Sequence, residues 1–289
     1  MSHSRAFDFG GEVAIVTGGG CLIKNELGNG SAAAVLLARH GARVAVVDRD
    51  VEAAAETKRI IEEEGGVAEV VRADVTLDED CKAAVSKVVE LFGRVDILVN
   101  IVGTGYPTGN AETVTTEAFN EGMHYNVTSM VQMVRHVVPV MRAGGKGAIV
   151  NMSSVVGLGG GAPGVFYSTS KGAIVAMTRA MAGNYGPDAI RVNCVCPGMA
   201  YTPMARVNAG DDGAMSEQMR AERRNLGFLK YEGTVMDIGY AILFLSSKEA
   251  RWITGAILPI DGGYSAGRVD HPKMGCMAKG KGGMHGHQS

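Results

Sequence analysis

Several features are missing from this chain, and each absence narrows what it does. No stretch reaches the ~18 uninterrupted apolar residues that a membrane helix needs, and "MSHSRAFDFGGE" at the N-terminus has no apolar core for a secretory signal. Neither a membrane partner nor export is expected. Lys and Arg number 28 against 30 Asp and Glu, a formal net charge of −2 without any dense basic block. A nucleic-acid surface is therefore not expected as the main partner. The five cysteines (Cys21, Cys81, Cys194, Cys196, Cys276) are odd in number and scattered, so no disulfide framework is indicated and a reducing cytoplasm is the default. Cys194 and Cys196 are spaced to share one face of a strand, as small buried apolar groups. No internal repeat is evident.

What remains is an ordinary globular composition, 46% apolar and 20% charged, long enough for one α/β domain and a tail. Short β-rich runs fall at 13–17, 43–48, 67–74, 96–100, 147–152, 190–196 and 255–261. Most read as continuous Val, Ile, Leu and Ala, as strands covered on both faces should. Helices lie between them. Gly41, Gly65 and Gly93 stand at their ends, Asp50 caps the second, and "TLDE" 76–79 reads as a capping box for the third. This alternation predicts right-handed βαβ units and a doubly wound parallel sheet in a three-layer α/β/α domain over 1–266. Residues 201–232 form a helix-bearing excursion where a substrate lid would sit. Residues 267–289, rich in Gly, Lys, Met and His, read as a polar tail whose spacing fits no metal-ligand pattern.

Three constellations carry chemistry. Thr17 to Gly30, "TGGGCLIKNELGNG", joins the first strand to the first helix. A glycine turn at a helix N-terminus offers backbone N–H groups and a positive dipole end to a pyrophosphate. Asp48 ends the second strand 18 residues beyond Gly30, near the ~20 expected of a carboxylate on an adenosine ribose, although a plain helix-entry residue would look the same. Tyr167 and Lys171 share a helix face at i,i+4, the one such pair among eight tyrosines. Lowering a phenol by about three units takes roughly 4 kcal/mol, about what one cation ~4 Å away supplies at an effective dielectric near 20. Such a pair suits acid–base work on an alcohol or ketone. Ser154 follows the strand 147–152 at the sheet edge where ligands gather, and alone it reads equally as a turn serine.

With these residues in view, the chain resembles the short-chain dehydrogenases/reductases over roughly residues 10–265. The family's TGxxxGxG loop corresponds to Gly18, Gly28, Asn29 and Gly30, and its NNAG to "NIVG", Asn100 to Gly103. The resemblance implies a Rossmann fold and a catalytic set of Asn126, Ser154, Tyr167 and Lys171. It further implies cofactor contacts from Asp48, Arg49, Asp74 and Val75 on the adenosine side and from Asn100, Gly103, Tyr167, Lys171, Pro197, Gly198 and Thr202 toward the nicotinamide. Lys171 would lower the Tyr167 pKa. Asp48, which would repel a 2′-phosphate, and Leu27 favour NAD, while Arg49 and Lys24 are the charges that could reach such a phosphate.

Ser154, Val156, Leu158, Tyr167, Met199, Tyr201 and Met204 would line the substrate pocket. That wall is apolar and free of a clamping arginine, which suits a moderately hydrophobic or cyclic secondary alcohol or ketone. Alternatives are an NADPH-linked carbonyl or 3-ketoacyl reductase and a catalytically silent nucleotide-binding scaffold. A homotetramer or dimer is implied through helices near 112–142 and 165–184, with Val131, Val134 and Met177 as candidate contacts, while His124 and His136 read as structural. Two departures stand out. Nine residues separate Gly18 from Gly28 where the family has three, and "CLIKNEL" reads as a flap over the cofactor or a subunit contact, with Lys24 near phosphate or solvent. "NIVG" also lacks the second Asn, which puts the central sheet's side-chain hydrogen bonds in question.

Overall fold

The computed structural model describes residues 6–21, 23–24, 26–207 and 215–267. Seven parallel strands form one sheet in the order β3-β2-β1-β4-β5-β6-β7: β1 Val13–Thr17, β2 Arg43–Asp48, β3 Val67–Arg72, β4 Ile97–Asn100, β5 Gly147–Met152, β6 Ile190–Pro197 and β7 Ile257–Ile260. Among the described residues ten α-helices accompany them: α1 Asn29–Arg39, α2 Val51–Glu63, α3 Asp78–Phe92, α4 Thr116–Met123, α5 Ser129–Ala143, α6 Val156–Gly159, α7 Val165–Tyr185, α8 Pro203–Val207, α9 Glu217–Leu226 and α10 Val235–Ser246. The chain leaves β1 toward β2 and β3, then crosses back to β4. The β1/β4 boundary is therefore the switch point beside which ligands bind in open α/β sheets.

The continuous apolar strands have the cover they require. On one face the core is built by α1, α2 and α10, with Leu36, Leu37, Ile61 and Ile242 buried. On the other it is built by α3, α5 and α7 around Val85, Met133, Met141 and Met181. Fully burying a Leu or Met contributes ~1.5–3 kcal/mol. α1 is Ala-rich because it lies between the sheet and α10, with every residue from Gly30 to Ala38 buried. A Cβ on Gly239 would stand 2.7 Å from Leu36 Cδ1, so α10 reaches α1 only through a glycine.

Helix ends follow the sequence at Asp50, whose carboxylate accepts from Ala53 N, and at Gly41, Gly65 and Gly93, which all have positive φ. The expected capping box at 76–79 does not form. Leu77 is the N-cap of α3, and Thr76 donates from its hydroxyl and amide to Asp74 Oδ1, a shorter-range partner. β3 and β7 are shorter than the apolar runs that announced them. Asn100 does tie the central sheet together: its Nδ2 donates to Asn151 Oδ1, and Asn151 Nδ2 donates to Thr178 Oγ1 on α7.

Cys194 and Cys196 share a strand face as expected, buried with their sulfurs 4.0 Å apart. Val134 is buried against its own core and offers nothing to a neighbouring subunit. Val131 and Met177 are half-buried against the same cluster. The tail from 268 onward, Cys276 with it, lies outside the described residues, as do 208–214 of the excursion. Among the described residues, no helix is long and apolar enough to cross a membrane, and no three His, Cys, Asp or Glu side chains group to hold a metal.

Candidate active site

The glycine cradle forms at the C-terminal end of β1. Gly18 takes φ +64°, and a Cβ on Gly30 would lie 2.0 Å from Gly18 O, so α1 begins in backbone contact with the loop. Gly30→Ala is expected to cost about 1–3 kcal/mol through overpacking and to weaken dinucleotide binding, both measurable by urea unfolding and NADH titration. Asn29 Oδ1 and Asn100 Oδ1 are buried beside this cleft with no hydrogen-bond partner. Buried acceptors of this kind await a donor. With the helix N-terminus, they make the cleft fit a dinucleotide.

The added loop residues begin as a latch onto α2. Thr57 Oγ1, fully buried, donates to Gly19 O at 2.7 Å, and Cys21 N donates to Ala53 O at 3.0 Å. Gly20 N donates to Asp48 Oδ2 at 3.0 Å while Asp50 N donates to Oδ1 at 3.1 Å, fixing the carboxylate plane. Lys24 is exposed, and Glu26 N donates back to Ile23 O in a tight turn. Leu22 and Asn25 lie outside the described residues. Among the residues expected on the adenosine side, burial pushes the Asp74 carboxyl up, but hydrogen bonds from Thr76 and the charges of Arg49 and Arg72 bring it below its usual value. The Arg49 guanidinium leans over the Tyr125 ring at 5.9 Å.

Tyr167 and Lys171 occupy the first two turns of α7 and Ser154 follows β5, which brings the serine hydroxyl close enough to the phenol to lower its pKa in part. Asn126 sits on the π-turn His124–Thr128 between α4 and α5. There its Oδ1 accepts from Thr104 N at 2.7 Å, and its Nδ2 donates to Thr104 O and Ser170 Oγ, both at 2.9 Å. A Cβ on Gly103 would stand 3.1 Å from Lys171 Nζ and 3.5 Å from Asn126 Oδ1, so this glycine is the crossing point of the set. Lys171 Nζ donates to Met152 O at 3.2 Å and lies 5.7 Å from the Tyr167 ring centre.

The protonation energetics differ from the expectation. Burial pushes the Tyr167 phenol above the usual tyrosine value, offset only in part by Ser154. Burial instead lowers Lys171 to about 8. An ammonium stripped of water titrates easily, which is how lysine differs from arginine at a reactive centre.

Two positioning side chains, one after β5 and one within α7, carried no signal of their own in the sequence. Ser153 Oγ donates to Lys171 O at 2.7 Å, and Ser170 Oγ links Asn126 to Tyr167 O. His124 and His136 are structural as expected, tied to Thr76 O and Asp78. Of the nicotinamide-side residues, Gly198 packs so closely on Asp261 that a Cβ would meet Asp261 Cβ at 2.5 Å, and Thr202 Oγ1 caps α8 through Ala205 N. Val156 is buried, while Leu158 and Met204 are exposed. Two arginines stand beside residues near the expected pocket. α9 lays the Arg220 guanidinium over the Tyr201 ring at 4.4 Å and bonds Arg223 to Ala200 O at 3.1 Å. The sequence excursion hid this, because α9 returns to these residues only through tertiary folding.

A glycine cradle at the switch point, with a serine, tyrosine, lysine and asparagine gathered at the same sheet edge, defines a nicotinamide-dependent oxidoreductase acting on an alcohol or ketone. A family model described as Enoyl-(Acyl carrier protein) reductase matches residues 23–265. The chain belongs to the short-chain dehydrogenase/reductase family. It is 39% identical over 261 residues to an uncharacterized oxidoreductase of Thermotoga maritima, covering 90% of this chain and 99% of the relative. It is 35% identical to the cis-4-hydroxycyclohexanecarboxylate dehydrogenase of Sinomonas cyclohexanicum, over 89% and 98% of the two chains. The solved structure of carveol dehydrogenase from Mycobacterium avium in complex with NAD superposes with TM-score 0.82 at 28% identity, over 90% and 99%.

Proposed function

We propose that this enzyme uses NAD to interconvert a moderately hydrophobic or cyclic secondary alcohol and its ketone, with Asn126, Ser154, Tyr167 and Lys171 as its catalytic residues. The convergence of these four side chains at the C-terminal edge of the sheet carries the reading. Nicotinamide supplies the hydride acceptor or donor. Tyr167 takes the hydroxyl proton of the alcohol during oxidation and returns it during reduction. Ser154 holds the substrate oxygen beside the phenol. Lys171 supplies positive charge beneath Tyr167, and Asn126 fixes the backbone of Thr104 around it.

The cofactor is held by Gly18, Gly28, Asn29 and Gly30 at the pyrophosphate and by Asp48, Arg49, Asp74 and Val75 on the adenosine side. Asn100, Gly103, Tyr167 and Lys171, then Pro197, Gly198 and Thr202, hold it toward the nicotinamide. The choice of NAD over NADP is supported by Asp48, whose carboxylate the latch through Gly20 aims and whose charge opposes a 2′-phosphate. NADH is expected to bind at least about tenfold tighter than NADPH, some 1.4 kcal/mol. Asp48→Ala is expected to narrow that ratio, and tighter NADPH binding in paired fluorescence titrations would overturn the NAD assignment. A screen of secondary alcohols, cyclohexanols first, with NAD reduction followed at 340 nm tests the activity itself.

The reading extends to a homo-oligomer, dimer or tetramer, in a reducing cytoplasm. Exposed Trp252, shortly before the edge strand β7, and exposed Tyr240 on α10 support the association, at 95% and 54% exposure. The four cysteines among the described residues, all free and buried, support the compartment. The tail from 267 is proposed to lie outside the catalytic domain.

A further inference from the structure

A second cavity, of about 530 Å³, opens between α9, the start of α10 and the turn after β7, and neither Ser154, Tyr167 nor Lys171 lines it. That volume is within the ~300–1,000 Å³ of small-molecule sites. Its wall is apolar: Phe228, Leu229 and Tyr231 line it while remaining 42%, 49% and 64% exposed. Three consecutive-region hydrophobic side chains left open to water are a cost that an apolar occupant would relieve.

One cation on this wall, Arg223, makes no direct ion pair among the described residues and feels Glu232 only at a distance. Arg223 has five N–H donors. It bonds through Nη2 to Ala200 O, and its Nε is buried with no partner. Every nearby carboxylate is already committed. Asp237 accepts from Thr234 N and Oγ1, and Asp261 accepts from Gly263 N and Ser265 N. Glu232 pairs with Arg220, and Arg224 with Glu217. Burial lowers the Arg223 pKa, and the charge of Glu232 offsets this only in part.

We propose that this cavity binds an amphipathic monoanion, an apolar body lying on Phe228, Leu229 and Tyr231 with its carboxylate on Arg223. Met199 and Ala200 line the same cavity immediately beyond Gly198, so the occupant sits against the segment assigned to the nicotinamide side. The anion is either the distal end of a substrate or a separate ligand. The chemistry is shared.

Calorimetric titration of the full-length protein with decanoate and decanol tests this without cofactor or turnover, so its outcome is independent of the proposed oxidoreductase activity. Decanoate is expected to bind at least about tenfold tighter than decanol, and Arg223→Gln is expected to remove that preference. Leu229→Asp is expected to weaken both ligands. Arg223→Lys, which keeps the charge, is expected to restore part of the preference and guards against misfolding, with circular dichroism as the fold check. Repeating the titration with NAD and saturating cyclohexanol separates the sources. Weakened decanoate binding identifies the substrate's distal end, and unchanged binding identifies a separate ligand. Equal binding of decanoate and decanol would overturn the proposal. So would an unchanged preference in Arg223→Gln, or no binding in the full chain because a second copy or residues 268–289 fill the groove.

Discussion

Replacing Tyr167 with phenylalanine is expected to lower turnover about 10²–10⁴-fold, the range of a lost general acid–base group. Cofactor binding should survive. The substitution removes one oxygen from a side chain whose ring contacts are otherwise kept. Steady-state kinetics with NAD and a responsive secondary alcohol, beside NADH titration, measure the two effects separately. A Phe variant with wild-type turnover would remove Tyr167 from the mechanism. Because burial raises the phenol, the alcohol-oxidising rate is expected to climb with pH and to plateau only where the assembled site lets Tyr167 ionise. Flat activity across the alkaline range would contradict that.

Lys171→Met is expected to have opposite effects on activity and stability. Turnover should fall by about 10²-fold or more, since the positive charge beneath the phenol is removed. Stability without cofactor should rise. The folded-state pKa of about 8 lies below the usual 10.5, so below pH 8 the folded protein holds a buried charge that the unfolded chain holds in water. A gap of about 2.5 units corresponds to roughly 3 kcal/mol against folding. Loss of the Nζ bond to Met152 O offsets part of this, leaving a net gain of about 1–3 kcal/mol in Lys171→Met at neutral pH. As pH rises from 8 toward 10.5 the folded protein sheds the proton first, so the wild type regains stability and the difference closes. Urea unfolding at pH 7 and pH 10 checks the sign. A variant less stable than wild type at pH 7 would refute it. Such a trade is expected where a charged group is retained for chemistry at the expense of the fold.

The layout was legible because each strand is a continuous apolar run and each helix ends on a glycine or a cap, both local properties. The catalytic set was legible for a related reason. Tyr167 and Lys171 are one helical turn apart, and Ser154 is anchored by its strand. Legibility failed where a side chain chose among distant partners. Thr76 turned back to Asp74 instead of capping α3, and Val134 faced its own core. "NIVG" raised a doubt about the central sheet that Asn151 and Thr178 answer from elsewhere in the chain.

By itself the sequence determined the parallel sheet, the glycine cradle and the set of side chains proposed as reactive, because periodicity and short spacings are written along the chain. Only the tertiary structure decided how the long phosphate loop is held, what charge environment Tyr167 and Lys171 share, and that α9 brings arginines beside residues near the expected pocket. Those properties depend on burial and on contacts across more than 20 residues, such as Thr57 with Gly19 and Arg223 with Ala200. Desolvation and long-range pairing exist only once the chain has folded.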